Sequence, residues 1–251
     1  MSFLTLEHVH YRYNDLDFAL KDVNWQVNQG EFHSLLGKSG CGKTTLLKLA
    51  AGLLKPEQGK IFLHGTEVYR PLPQMGYVFQ APTLLEWKNI LDNVLLPIVL
   101  KRKPKEEELD FANELLQLVG IHSHKLKYPS ELSGGQQSRV AIARALIQKP
   151  VMLYLDEPFA ALDAITREEL QDDLLKLCKM QKTTVLFITH DITEAVYLSD
   201  RIAIMFDGQI IHDMKIDLPE KRDIHMRYES NFNELCLTVR QYIGGGNNEK
   251  S

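Results

Sequence analysis

Cysteine is scarce in this chain, and a long apolar run is missing. Only Cys41, Cys178 and Cys236 occur in 251 residues. The set is odd in number and scattered, and it has no metal-ligand spacing, so a reducing compartment is the default. The longest apolar stretches, such as VLLPIVL at 94–100, fall far below the roughly 18 residues that a membrane span requires. The N-terminal MSFLTLEHVHYRY has no basic region followed by an apolar run, which argues against a signal peptide. The chain is therefore expected to be soluble, with any membrane role supplied by a partner. Basic charge is not in excess either. A formal net charge of -4 and a pI near 6.1 give no basic surface for nucleic acid, and no nucleic-acid partner is expected. What remains is an ordinary globular composition, long enough for one sizeable core or one domain with a smaller lobe.

Periodicity supplies the layout. FLTLEHV alternates as a strand does, and ALKDVNWQV predicts a second strand that ends at Gly30. EFHSLLG is a buried strand running into a glycine loop. TLLKLAAGLL has helical spacing and stops at KPEQG. KIFLHG and MGYVFQ are short strands. Residues 81–130 are mostly helical, punctuated by prolines at 82, 97, 104 and 129, and SGGQQSRVAIARALIQ continues as a helix. VMLYLDEP is an apolar strand, TREELQDDLLKLCKM a helix, TTVLFITH a buried strand and DITEAVYLSD a short helix. RIAIMFDGQIIHD predicts a hairpin with a DG turn. Alternating strands and helices imply an α/β fold with a mostly parallel sheet and an N-terminal antiparallel β portion. The expected organisation is a single domain over 1–243. Its core covers 1–80 and about 150–215, an inserted helical subdomain about 81–149, and a C-terminal helical extension about 216–243. The tail 244–251 is expected to be disordered.

Two motifs carry phosphate chemistry. The loop Gly37, Lys38, Ser39, Gly40, Cys41, Gly42, Lys43, Thr44, continuing to Thr45, fits G-x-x-x-x-G-K-[ST] with a buried strand before it and a helix after it. Its glycines let backbone N–H groups wrap phosphate oxygens, and the helix N-terminus adds positive field. Lys43 would reach the β- and γ-phosphates, and the Thr44 hydroxyl would ligate Mg²⁺. The apolar VMLYLDE puts Asp156 at the C-terminal end of its strand, where α/β sheets place ligands. Asp156 is a candidate for Mg²⁺ through a water, and Glu157 for the general base that polarises the attacking water. Together these motifs imply a Mg²⁺-dependent nucleoside triphosphatase, without saying which kind.

A third motif, LSGGQ at 132–136, has the outline of a small anion-binding loop ahead of a helix. With it the chain resembles the ATPase subunits of ABC transporters, along nearly its whole length. The resemblance implies that Ser133, Gly134 and Gly135 offer a hydroxyl and N–H groups to the γ-phosphate of ATP held by a second subunit in a head-to-tail dimer. Gln136 lies beside that nucleotide. Read locally, Ser133 is simply a helix N-cap. Gln80 in YVFQ matches the glutamine that contacts Mg²⁺ and the attacking water. Asp163 in AALDA matches the residue that aligns the two sites across the dimer, and His190 in FITHD the histidine at the γ-phosphate. Tyr13, 24 residues before Gly37, matches the aromatic that stacks on adenine, with Tyr11 its rival. Lys38, Ser138 and AALDA depart from common family wording without removing a catalytic group.

Finer wording, FQAPTLLEWKNILDNVLLPI above all, resembles the nitrate, sulfonate, taurine and thiamine-precursor importer group. That implies a subunit on the cytoplasmic face of the membrane, importing a small anion or heterocycle. Its partners would be a multi-span permease, a solute-binding protein, and a second copy of itself or a paralogous ATPase subunit. Trp87 falls where a permease coupling helix would dock, and packing within the helical subdomain accounts for it equally well. The alternative function is a soluble ABC-type ATPase that works as a mechanical or regulatory module without a permease.

Overall fold

The computed structural model describes residues 2–13 and 18–245. Strands β1 (Ser2–Arg12), β2 (Phe18–Asn28) and β3 (Phe32–Gly37) precede helix α1 (Lys43–Ala50). Strands β4 (Gln58–Leu63), β5 (Thr66–Glu67) and β6 (Met75–Val78) follow, then helices α2 (Ile90–Val99), α3 (Glu106–Leu118) and α4 (Gly134–Leu146). The chain continues through β7 (Met152–Asp156), α5 (Ala164–Gln181), β8 (Thr184–Ile188) and α6 (Ile192–Leu198). It ends with β9 (Arg201–Phe206), β10 (Gln209–Lys215) and α7 (Ser230–Gly245). These elements form two compact units. One comprises residues 1–73 and 184–251. The other, Gln74–Thr183, is inserted into it in sequence.

The first unit holds an antiparallel sheet in the order β2-β1-β4-β5. It also holds the buried strand β3, which runs parallel to both β8 and β9, with β10 antiparallel to β9. The β9–β10 turn places Asp207 and Gly208 at positive φ, 45° and 78°, as a tight hairpin requires and as the DG pair predicts. Segment 216–245 forms a 3₁₀ turn at Ile224–Tyr228 followed by α7, which packs on α6. The guanidinium of Arg227 lies 3.8 Å from the centroid of the Tyr197 ring on α6, a cation–π contact. Helix α7 runs through Gly244 and Gly245, and the remainder of the tail, 246–251, lies outside the described residues.

The second unit pairs β6 and β7 in parallel, Met75 opposite Met152 and Val78 opposite Leu155. Helices α2, α3 and α4 pack on one another beside it. The helical stretch expected at 81–149 lies within this unit, which also includes β6, β7 and α5. Pro97 does not punctuate this stretch as the sequence suggests: it lies inside α2. It sits in the last turn, where a missing N–H removes one bond near the helix end. Gln148 Nε2 donates to its carbonyl at 2.7 Å.

Candidate functional site

In the first unit, β3 delivers Gly37 and α1 begins at Lys43, so the glycine loop lies between a buried strand and a helix N-terminus. Gly42 occupies the N-cap position at φ 106°, and a Cβ there would come within 2.5 Å of the Ala19 carbonyl oxygen. Only glycine fits. No side chain caps α1, which leaves the N-terminal end of the helix to an anion. Lys38, Ser39 and Gly40 are exposed, and Lys43 is buried. The Lys43 ammonium donates to the carbonyls of Gly37 at 2.8 Å and Lys38 at 3.0 Å, so it lies folded along the loop it would serve. Burial pushes the Cys41 thiol up against the pull of nearby Lys43, so Cys41 is a neutral packing residue and not a thiolate.

Two further predicted residues lie in the same unit. The Tyr13 hydroxyl is 3.3 Å from Thr45 Oγ1, which brings an exposed aromatic ring beside the phosphate loop. Tyr11 packs edge-on against it, with ring centroids 4.9 Å apart, and supports the ring of Tyr13. His190 is exposed in the bend between β8 and α6.

The second unit carries the carboxylates. All five residues of β7 are buried, and Asp156, its last, is 2 % exposed. Glu157 follows at φ 50°, a left-handed conformation that a glutamate rarely adopts. Gln80, two residues beyond β6, donates from Nε2 to Glu157 Oε2 at 3.1 Å. Two predicted site residues 77 positions apart are thus in direct contact. Asp163 is the N-cap of α5, and its carboxylate accepts from Thr166 N at 3.0 Å. The backbone N–H and then the hydroxyl of Thr166 lower its pKa, so it is ionised at neutral pH.

LSGGQ begins α4 with a capping box. Ser133 Oγ accepts from Gln136 N at 3.3 Å, and Gln136 Oε1 accepts from Ser133 N at 2.9 Å. The local N-cap reading of Ser133 therefore holds, and the glutamine is its reciprocal partner. The two glycines differ. A Cβ on Gly135 would lie 2.8 Å from the Ala161 carbonyl oxygen, whereas one on Gly134 would meet nothing within 4 Å. Gly135 is glycine for packing against AALDA. Gly134 is exposed and open to an external group.

Sequence reasoning missed an apolar groove in this unit. It has a volume of about 340 Å³ and is lined by Tyr77, Phe79, Leu96, Pro97, Leu100 and Arg144 among others. Arg144 shapes one edge, donating to the carbonyls of Thr83 at 2.9 Å and Pro82 at 2.8 Å. Asn93, fully buried, ties down the loop that displays Trp87. Its Oδ1 accepts from Leu85 N at 2.8 Å, and its Nδ2 donates to the carbonyls of Leu85, Lys88 and Asn89. A lone asparagine within the apolar ILDNVLLPIV was the available signal. Trp87 itself is 74 % exposed.

Comparison with known proteins decides the family. The ABC transporter model matches residues 20–160. The chain belongs to the ABC transporter ATP-binding family. It is 45% identical over 227 residues to the aliphatic sulfonates import ATP-binding protein SsuB of Bacillus licheniformis, covering 90% of this chain and 85% of that protein. It is 44% identical over 230 residues to the nitrate import ATP-binding protein NrtC of Synechococcus elongatus, covering 88% of this chain but only 35% of that longer relative. Among solved structures it matches the dimeric, post-hydrolysis ATP-binding cassette MJ0796 bound to ADP and Pi. There the TM-score is 0.78 at 33% identity, over 86% of this chain and 100% of that one. The fold is that of the P-loop ATPase cassettes, and the ABC subunit described here is an ATP-binding ATPase. Among its described residues no helix is long and apolar enough to cross a membrane.

Proposed function

We propose that this ABC ATPase powers import of a small anion or heterocycle through a separate membrane permease, by ATP-driven closure of a head-to-tail dimer on the cytoplasmic face. The contact between Gln80 and Glu157 carries the reading, because it joins a glutamine to the carboxylate that follows β7. The phosphate loop binds the triphosphate through its backbone N–H groups and Lys43, and Tyr13 stacks on adenine. Glu157 takes the proton of the attacking water, Gln80 orients that water, and His190 contacts the γ-phosphate. Ser133 and Gly134 meet the nucleotide of the opposite subunit, and Asp163 aligns the two sites. ATP favours closure because those contacts form only in the closed state.

Mg²⁺ fits the donors present. Thr44, Gln80 and Asp156, the last buried at the end of β7, would offer it a hydroxyl, an amide and a carboxylate. That sparse oxygen set suits a cation held mainly by phosphates and water. When bound, the ion neutralises charge on the β- and γ-phosphates.

Import is supported by the roles of SsuB and NrtC, and dimerisation by the dimeric MJ0796. A permease and a solute-binding protein are the implied partners, and the second subunit is a copy of this chain or a paralogue. The groove at Phe79, Leu96 and Leu100 suits a helix presented by the permease. The test is co-purification from detergent-solubilised membranes of the native host. A multi-span protein should accompany the wild-type chain and be lost with Leu100→Glu while ATP binding persists. Fractionation free of any membrane protein would favour a soluble mechanical module instead.

A further inference from the structure

Within the first unit, the segment around His190 is tied down on both sides by one buried pair. Thr189, 4 % exposed, donates its hydroxyl to Glu194 Oε2 at 2.6 Å, and Glu194 is itself only 6 % exposed. The same Thr189 Oγ1 accepts from Asp191 N at 3.0 Å. One hydroxyl thus bridges the residues before and after His190, closing the backbone around it. Glu194 is not needed as a cap for α6. Asp191 is the N-cap, and its Oδ1 accepts from Thr193 N at 2.8 Å and Glu194 N at 3.3 Å. A buried carboxylate is costly unless it is engaged, and this one is committed to Thr189.

The helix that carries Glu194 is itself fixed. Asp200, just past α6, accepts from Phe32 N at 2.8 Å and donates its own N–H to the Phe32 carbonyl at 2.8 Å. Ser199 is hydrogen-bonded to Ser34, and Arg222 donates to the Ser199 carbonyl at 3.0 Å. Phe32 and Ser34 belong to β3, the strand that ends in the phosphate loop. The sequence of contacts therefore runs from the phosphate-loop strand through α6 and Glu194 to Thr189, and so to the bend holding His190.

We propose that Thr189 and Glu194 are positioning residues that hold His190 in register with the phosphate loop. Glu194 sets the hydroxyl rotor of Thr189, so that its donor faces the carboxylate and its acceptor faces Asp191 N. The inference rests on the reading of His190 as the γ-phosphate contact. Loss of the Thr189–Glu194 bond would misplace the imidazole and lower turnover without removing the groups that bind ATP. A displacement of about 1 Å at a reacting group can cost up to a hundredfold.

The experiment is steady-state Mg·ATP hydrolysis by the full chain, with nucleotide affinity measured separately. Thr189→Val, close to isosteric, and Glu194→Ala should each lower kcat about tenfold while ATP affinity stays within about twofold. Thr189→Ser keeps the hydroxyl and Glu194→Gln keeps an acceptor, so both should recover most of the turnover. In a His190→Ala background none of the four should matter further. A loss from Thr189→Val that is equally large without His190, or that appears in ATP affinity and not in kcat, would overturn the proposal. Undiminished turnover in His190→Ala alone would instead remove the reading of His190 on which it stands.

Discussion

Glu157 combines a left-handed backbone with a side chain held by Gln80, an arrangement that a merely solvated carboxylate at a strand end does not need. As general base it should be separable from binding. Glu157→Gln keeps the shape and loses the proton acceptor, so turnover should fall by about 10²–10⁴ with ATP affinity preserved, as measured by single-turnover hydrolysis and nucleotide titration. Lys43→Ala should do the reverse. It removes a charged donor worth about 1.5–3 kcal/mol, so the Kd for ATP should rise roughly ten- to hundredfold. It also strips two loop carbonyls of their partner. At this scale the family was legible in the sequence. The glycine loop, the acidic strand end and LSGGQ are local words whose spacing alone carries meaning. What it could not show was division of labour inside a word. Gln136 closes a capping box with Ser133, and Gly135 and Gly134 are glycine for different reasons, because packing against Ala161 depends on a contact made across the fold.

Among the elements, α4 makes that difference testable. Gly135→Ala forces a Cβ toward the Ala161 carbonyl oxygen and should destabilise the chain by about 1–3 kcal/mol, seen as a lower melting temperature. Gly134→Ala meets open space and should melt no lower than wild type, since alanine suits a helix at least as well as glycine. A common drop in both variants would mean that Gly134 is also a packing residue. Strand and helix order followed from periodicity, including the DG hairpin. The groove did not, because its apolar side chains come from β6, α2 and α4, and no one segment displays them together. Pro97 misleads for a related reason: proline near a helix end disturbs little, so it need not mark a boundary.

For the whole molecule, the decisive feature is that Ser133 and Gly134 are exposed, with open space at the Gly134 Cβ position. The account gives each loop to a different nucleotide in a dimer, so nucleotide should govern association. The resemblance carried by the motifs reached the family, and the roles of its relatives extend the proposal toward import. Under the proposed function the partner subunits recognise the solute, so its identity is not expected in this chain. The most direct measurement is light scattering coupled to size exclusion on Glu157→Gln, with and without Mg·ATP, alone and combined with Gly134→Asp. A carboxylate at the first turn of α4 favours the helix, so the double variant should fold normally and still bind ATP. Across a dimer interface, however, it would face the γ-phosphate. The account predicts an ATP-dependent shift from monomer to dimer in Glu157→Gln that Gly134→Asp abolishes. A nucleotide-bound chain that stays monomeric, or a dimer indifferent to Gly134→Asp, would contradict it.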